Sequence, residues 1–251
     1  MRQVADPPTL GFIVPAYRPD LELLVPYLEQ VTEILDPAML RVELDAPGER
    51  TRQRLAGTPA TVAVSARRRG KGAAITDGFD ALNTDVLAFA DADAATPVPE
   101  LGRIVDAVLS GNTSLAVGSR RHPDATVETG QSIPRGVMGD GFAWLARRLL
   151  DVSLYDYQCG AKALTAGAWR QVREDLTEEG FAWDVELLAF ASAHSLTVQE
   201  IPITWHDHPD STVPPVRSAV DMGTALLRTS LRTTRVDASV ERSCHGPPLE
   251  E

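Results

Sequence analysis

VLAFADAD, residues 86–93, is five apolar residues followed at once by two acids one position apart. A short apolar run closed by polar residues is the pattern of a strand buried on both faces. Residues i and i+2 of an extended chain point the same way, so Asp91 and Asp93 face one spot at the strand's end.

The same pattern repeats outward from this stretch. Towards the N-terminus lie TVAV at 61–64, RVEL at 41–44 and LGFIV at 10–14, the last ending at Pro15; on the other side lies LAVG at 115–118. Helical patterns separate them, from Pro19 to about Leu35, from Gly70 onward and near 98–110. Strands alternating with amphipathic helices predict an α/β chain, a Rossmann-like, mostly parallel sheet with helices on both faces. After Arg121 the alternation stops. Residues 122–134 read as a loop, followed by a helix over 135–151, a Gly160-containing segment, helices near 166–176 and 183–194, and a strand over 196–205. The last stretch, 216–235, carries Arg217, Arg228, Arg232 and Arg235 on an amphipathic helix. Two readings stand for it, a helix closing the fold or one lying on an anionic membrane surface. The expected division is one domain over 8–213 and a C-terminal helix with a flexible tail over 214–251.

Composition excludes several classes. The chain has 251 residues, 43% hydrophobic and 24% charged, which is enough to bury a sizeable core. Its formal charge of -11 argues against a nucleic-acid surface. Of 24 basic residues only Lys71 and Lys162 are lysines. Many carboxylates with almost no lysine suit a protein dissolved in concentrated salt, where self-repulsion is screened within about 3 Å at 1 M; the alternative is an acidic protein of ordinary habitat. Cys159 and Cys244 make no disulfide framework or metal spacing, and a reducing compartment fits. No signal peptide or spanning segment is read, which predicts a cytoplasmic chain.

The Asp91/Asp93 pair is the strongest chemical feature. In an open α/β sheet ligands bind beyond the carboxyl ends of the strands, and two hard oxygen ligands there suit Mg2+ or Mn2+ with a diphosphate in its shell. RRRGKGAA, residues 67–74, opens a helix after a strand, and its glycines let backbone N–H groups and Lys71 approach a phosphate. It matches neither the P-loop spacing nor a GxGxxG fingerprint. GSRR at 118–121 and Arg135 offer guanidinium groups to a second phosphorylated ligand. In FAWDVE, 181–186, Asp184 and Glu186 sit in a mainly apolar helix, where they orient hydroxyls, accept a proton or simply complement the helix N-terminus. His206 and His208 lack a third zinc ligand at a supporting spacing.

Seven segments in order resemble a known family. They are VPAYRPD (14–20), RGKGAAITDGFDAL (69–82), FADADAATP (89–97), GSRR (118–121), QCGAK (158–162), FAWDVELLAFA (181–191) and EIPITWHDHPDSTV (200–213). Together they resemble the inverting family-2 glycosyltransferases of the GT-A fold, and within them the dolichyl-phosphate hexosyltransferases, including haloarchaeal members. The resemblance implies transfer of a hexose from a nucleotide sugar, UDP-glucose or GDP-mannose, to dolichyl or another polyprenyl phosphate, at the inner face of the cell membrane and for protein or lipid glycosylation. It places Pro15, Ala16, Tyr17 and Asp45 at the nucleotide, Asp91 and Asp93 on Mg2+ or Mn2+, and Lys71, Gln158, Lys162 and Asp184 along the donor. Arg120 and Arg135 would grip the acceptor phosphate, with Asp93, Asp184 and Arg135 acting on the reaction itself.

The chain departs from the family in three places. Arg18-Pro19 stands where Asn-Glu is common, Asp45-Ala46-Pro47-Gly48 keeps one acid of an Asp-Asp-Gly-Ser turn, and Ala95 replaces a metal-binding Gln. Two other readings remain open at this stage. One is a family-2 transferase acting on a sugar hydroxyl of a lipid-linked saccharide, which needs a base, with Asp184 first in line. The other is a catalytically silent nucleotide-sugar-binding subunit.

Overall fold

A computed structural model describes residues 7–128, 143–206 and 222–234. In chain order the elements are β1 (Leu10–Tyr17), α1 (Leu21–Leu35), β2 (Met39–Asp45), α2 (Glu49–Leu55), β3 (Thr61–Ser65), α3 (Lys71–Asp80), β4 (Val86–Ala90), α4 (Val98–Leu109) and β5 (Leu115–Ser119). They continue with β6 (Thr126–Val127), α5 (143–149), β7 (Ala161–Thr165), α6 (Ala166–Val172), α7 (Trp183–Ala193), β8 (Val198–Pro202), β9 (Thr204–Trp205) and α8 (222–234).

Seven strands form one sheet in the order β3-β2-β1-β4-β7-β5-β8. All neighbours are parallel except β7, which runs antiparallel between β4 and β5 with Phe89 opposite Lys162 and Val117 opposite the same lysine. The α/β reading with helices on both faces therefore holds. Side chains alternate across the sheet as strand geometry requires. Phe12, Val14, Ala88, Ala90 and Ala116 enter the core under α1 and α4, while Ile13, Leu87, Phe89, Leu115 and Val117 enter the core under α3 and α5 to α8.

Two local causes shape the site. Strand β1 outruns β4, because its pairing with β4 ends at Ile13 while that with β2 continues to Tyr17. Pro15 has no N–H to give a ladder and sits where the β4 ladder has stopped. The strand runs two residues past the end expected from sequence. Asp20 then caps α1, accepting from the Glu22 N–H at 2.9 Å.

Helix α7 is buried all round, with ten of its eleven residues inside, Asp184 and Glu186 among them. It packs against α3, α6 and β8. The described part of the C-terminal helix buries Ala225, Leu226 and Thr229; Leu226 joins the core beneath α7. Residues 235–251 and the stretch 207–221 lie outside the described residues. Among the described residues no helix is long and apolar enough to cross a membrane.

The sequence reading missed four elements, one of them β6 within the expected loop 122–134. It took 46–60 as a polar stretch, where α2 forms; it left 160–165 unassigned, where β7 forms; and the single strand expected over 196–205 is β8 and β9, with Ile203 between them.

Candidate functional site

The strand order reverses between β1 and β4, because the chain leaves β1 for β2 on one side and β4 for β5 on the other, with α1 and α4 packed together on one face of the sheet. That is the topological switch point at which open α/β sheets bind ligands. The ends of both strands, Tyr17 and Asp91, flank this crevice.

At its centre four side chains form an alternating chain of charge. Asp91 Oδ1 lies 2.9 Å from Lys71 Nζ; Lys71 Nζ lies 2.9 Å from Asp184 Oδ2; and Asp184 Oδ1 lies 2.6 Å from Lys162 Nζ. Lys162 also donates to the Cys159 carbonyl at 2.6 Å. Both lysines of the protein thus meet at Asp184. Each also stands against the Phe89 ring, with Nζ 5.5 Å and 5.8 Å from its centroid. An ammonium over an aromatic face is attracted by the ring quadrupole. The ring is itself fixed edge-on by Trp183 at 5.7 Å.

Burial alone would raise the Asp184 carboxyl, but Lys162 and Lys71 outweigh it and hold it below the ordinary carboxylate range. Lys71 is held above its usual value, its own burial being outweighed by Asp184 and Asp91. Asp91 moves the other way. Desolvation raises it, Asp93 and Asp184 add to the rise, and Lys71 only partly opposes them. A divalent cation beside Asp91 would relieve that repulsion.

The donor set fits such an ion. Asp91 and Asp93 supply two hard carboxylates, Asp93 Oδ1 accepting from the Ala95 N–H at 3.1 Å and so holding the turn after β4. Among the described residues no third His, Cys, Asp or Glu joins them. The remaining ligands would come from a diphosphate and water, the usual arrangement for Mg2+ at phosphate sites. Gly160 is needed for this geometry, because a Cβ there would lie 1.8 Å from Asp91 Oδ2.

The turn before Lys71 is built by Asp45 at the end of β2. Its Oδ2 accepts from the Arg69 and Gly70 backbone N–H groups at 2.7 and 3.1 Å, and its Oδ1 from Arg69 Nε at 2.8 Å. Arg69 Nη1 reaches Glu43 and Asp77 as well. Gly70 has φ +108°, and a Cβ there would meet the Glu179 carbonyl oxygen at 2.3 Å, so only glycine fits.

The other residues singled out from sequence are spread round this centre. Pro15, Ala16 and Tyr17 end β1, with Ala16 buried and Tyr17 exposed. The Arg68 and Arg18 guanidinium carbons lie 4.4 and 5.2 Å from the Tyr17 ring centroid. Arg120, after β5, grips Asp156 through Nε at 2.7 Å and Nη2 at 3.0 Å and lies 5.3 Å from the Trp205 ring centroid. Burial would raise the Asp156 carboxyl, but Arg120 and two backbone N–H groups draw it down to about 2. Gln158 donates to Met222 Sδ of α8 at 3.3 Å. His206 pairs with Glu128 at 3.3 Å. Arg135 and His208 lie outside the described residues.

Sequence reasoning found Lys71, Asp91, Lys162 and Asp184 separately but not that they touch. It missed Phe89, Gly160, Arg69 and Asp156. A large ring at the last inward position before a pair of acids is the one signal that pointed to Phe89; nothing local marked Asp156 as the partner of Arg120.

Residues 44–156 match the protein family described as "Glycosyl transferase family 2". The chain is 35% identical over 162 residues to glycosyltransferase AglD of Haloferax volcanii, covering 64% of this chain and 26% of that protein. It is 32% identical over 154 residues to the dolichyl-phosphate beta-glucosyltransferase of Saccharomyces cerevisiae, covering 56% of this chain and 46% of that one. The chain thus spans between about a quarter and a half of the length of these relatives. In fold it is similar to glucosyl-3-phosphoglycerate synthase from Mycobacterium tuberculosis, solved in complex with Mn2+, uridine diphosphate and glucosyl-3-phosphoglycerate. The TM-score is 0.67 at 16% identity, over 90% of this chain and 80% of that one.

Proposed function

We propose that this chain, which carries a glycosyl transferase family 2 domain, transfers a hexose from a nucleotide sugar to the phosphate of a dolichyl or related polyprenyl lipid, with inversion at the anomeric carbon. The observation that carries this reading is the state of Asp184. A transferase acting on a sugar hydroxyl needs a carboxylate free to take a proton. Asp184 is the acid buried at the centre of the site, yet it is neutralised by two ammonium groups and held below the ordinary carboxylate range, which makes it a poor base. A phosphate monoester needs no base, because its second pKa of about 6 leaves it largely ionised at neutral pH.

In this reading Asp91 and Asp93 hold Mg2+ or Mn2+, which would neutralise charge on the departing nucleoside diphosphate. Lys71, at the N-terminus of α3, binds the diphosphate from the other side. Asp184 and Lys162 orient the sugar, together with Gln158. Pro15, Ala16 and Tyr17 border the nucleotide, and Asp45 acts by shaping the turn that presents Lys71. Arg120 and Arg135 draw the acceptor phosphate towards the anomeric carbon. The names of the relatives support glucose as the sugar and UDP-glucose as the first donor to test. A lipid acceptor requires the chain to work at a membrane face, the cytoplasmic one in this proposal.

The test is to incubate the pure protein in high salt with Mn2+ or Mg2+, polyprenyl phosphate and separately labelled UDP-glucose and GDP-mannose, then extract into organic solvent. Label in the organic phase from UDP-glucose is the expected result. Label transferred to a saccharide hydroxyl, and none to lipid phosphate, would overturn the reading.

A further inference from the structure

The C-terminal helix reaches the donor site through one arginine. Glu186 lies two residues after Asp184 on α7 and is fully buried. Its Oε2 accepts from the backbone N–H groups of Thr177 and Glu178 at 2.9 and 2.8 Å, and its Oε1 from the Thr177 hydroxyl at 3.1 Å. Its ion-pair partner is Arg232 on α8, which donates to Glu186 Oε1, to the Thr177 hydroxyl at 2.8 Å and to the Asp175 carbonyl. The Arg232 guanidinium also stands 4.9 Å from the Phe190 ring centroid.

The segment held in this way is the one that abuts Lys71. Two residues past Thr177, the Glu179 carbonyl accepts from the Ala73 N–H at 3.1 Å in the first turn of α3, and it fills the space a side chain at Gly70 would need. Lys71 lies between those two points. Its two 2.9 Å contacts, to Asp91 and to Asp184, depend on where this turn stands.

We propose that Arg232 is a positioning residue of the donor site. By neutralising Glu186 and tying Thr177 to Asp175, it fixes the 177–179 segment against α3 and so sets the place of the Lys71 ammonium. Arg232 contacts Glu186, Thr177, Asp175 and Phe190, and acts on Lys71 only through them. Removing it leaves a buried carboxylate without its counter-charge, and the segment that must move to rehydrate that carboxylate is the one that holds the turn. A displacement of about 1 Å at such a place is enough to cost a reaction two orders of magnitude. The inference rests on the nucleotide-sugar reading only for the identity of the ligand.

The composition makes a clean test available. The chain has two lysines, and Lys162 is fully buried, so acylation by an N-hydroxysuccinimide ester read by mass spectrometry reports on Lys71 with Lys162 as an internal control. In Arg232→Met, Lys71 is expected to label about tenfold faster with Lys162 unchanged, and Arg232→Lys to fall between. Equal labelling of Lys71 in variant and parent, or a rise at both lysines together, would overturn the proposal. Should Arg232→Met not fold, Arg232→Lys, which keeps a counter-charge for Glu186 but loses the fork that reaches the Thr177 hydroxyl and the Asp175 carbonyl, carries the same readout with a smaller rise at Lys71.

A second measurement uses UDP with Mn2+ in a calorimeter. Arg232→Met is expected to bind about tenfold more weakly, while the KM for polyprenyl phosphate changes less than twofold. Undiminished binding counts against the positioning role. A parent chain that binds neither UDP nor GDP sinks the donor reading instead, and the labelling result then decides the role of Arg232 by itself.

Discussion

Two regions of this molecule solve the problem of a buried carboxylate with different cations. Around the crevice, arginine does the holding: Arg69 spans Asp45, Glu43 and Asp77, and Arg120 takes Asp156 in a two-point grip. At the centre, between β4, β7 and α7, the cations are Lys71 and Lys162. The chain uses arginine 22 times and lysine twice, so the lysines are not there by habit. A guanidinium is a rigid planar fork that matches a carboxylate edge and stays with it. An ammonium is a compact point charge that turns freely among several acceptors. In the function proposed above Arg69 fixes the frame, Arg120 combines its grip on Asp156 with a place at the acceptor phosphate, and the lysines sit where a partner has to be exchanged when substrate arrives.

The sharpest way to break this comparison is to empty the centre. Asp93→Ala removes one of the two carboxylates proposed to hold the metal without touching either arginine clamp, and it is expected to lower kcat by about 10^3-fold with the unfolding transition little changed. Turnover assays with and without Mn2+, beside a urea titration, check both halves, and retained metal-dependent turnover removes Asp93 from the metal site. Next in size is Lys71→Arg, which keeps the charge and changes only its shape. We expect a loss of about 10^2-fold in kcat/KM for the nucleotide sugar; activity near the parent level would show that charge alone matters there.

The reverse exchange probes the frame. Arg69→Lys deletes the fork that spans Glu43, Asp45 and Asp77, and the expected cost is about 1–2 kcal/mol of stability by denaturant unfolding. Its kinetic constants should move less than those of Lys71→Arg, and the opposite ranking would erase the division between frame and centre. The last effect is a matter of pH. The folded Asp156 carboxyl lies near 2, below its unfolded value of 3.8, so its stabilisation is complete above about pH 4 and is lost as pH falls towards 2. That corresponds to about 2 kcal/mol at most. The stability gap between parent and Asp156→Asn should close over this interval, and a gap constant from pH 5 to 2 would mean that Asp156 carries no such linkage.

Much of this was legible in the chain because it rests on local pattern. VLAFA followed by two acids announces a buried strand with a ligand end, and the alternation around it gives the sheet. Lys71 and Lys162 could be singled out by rarity alone. Their convergence on Asp184 could not, because it depends on β7 crossing beside β4 and on α7 arriving 22 residues later. Strand β7 itself was invisible: AKALT is short, rich in alanine and free of β-branched residues until its last position, and its place is set by partners 45 to 79 residues away. Helix α2 was missed for a different reason. Of ERTRQRL only Leu55 is buried, so there is hardly an apolar stripe to read. Asp45 shows a third kind of contact that the sequence does not reveal. Its position at a strand end was right, but its carboxylate is occupied by Arg69 and Gly70, and no spacing rule reveals which partner an acid will choose.

The antiparallel strand also sets an order of events during synthesis. Strands β4 and β5 are complete once residue 119 has been made, yet each presents a bare edge to the other until Ala161–Thr165 is available to fill the gap. The intervening 41 residues must be translated first, which at ribosomal speeds of about 5–20 residues per second is a delay of seconds. During that interval two apolar strand edges lie open to the wrong neighbour. The gap between β4 and β5 closes when the segment that carries Lys162 leaves the exit tunnel, while the outer edge of β5 waits longer, for Val198–Pro202.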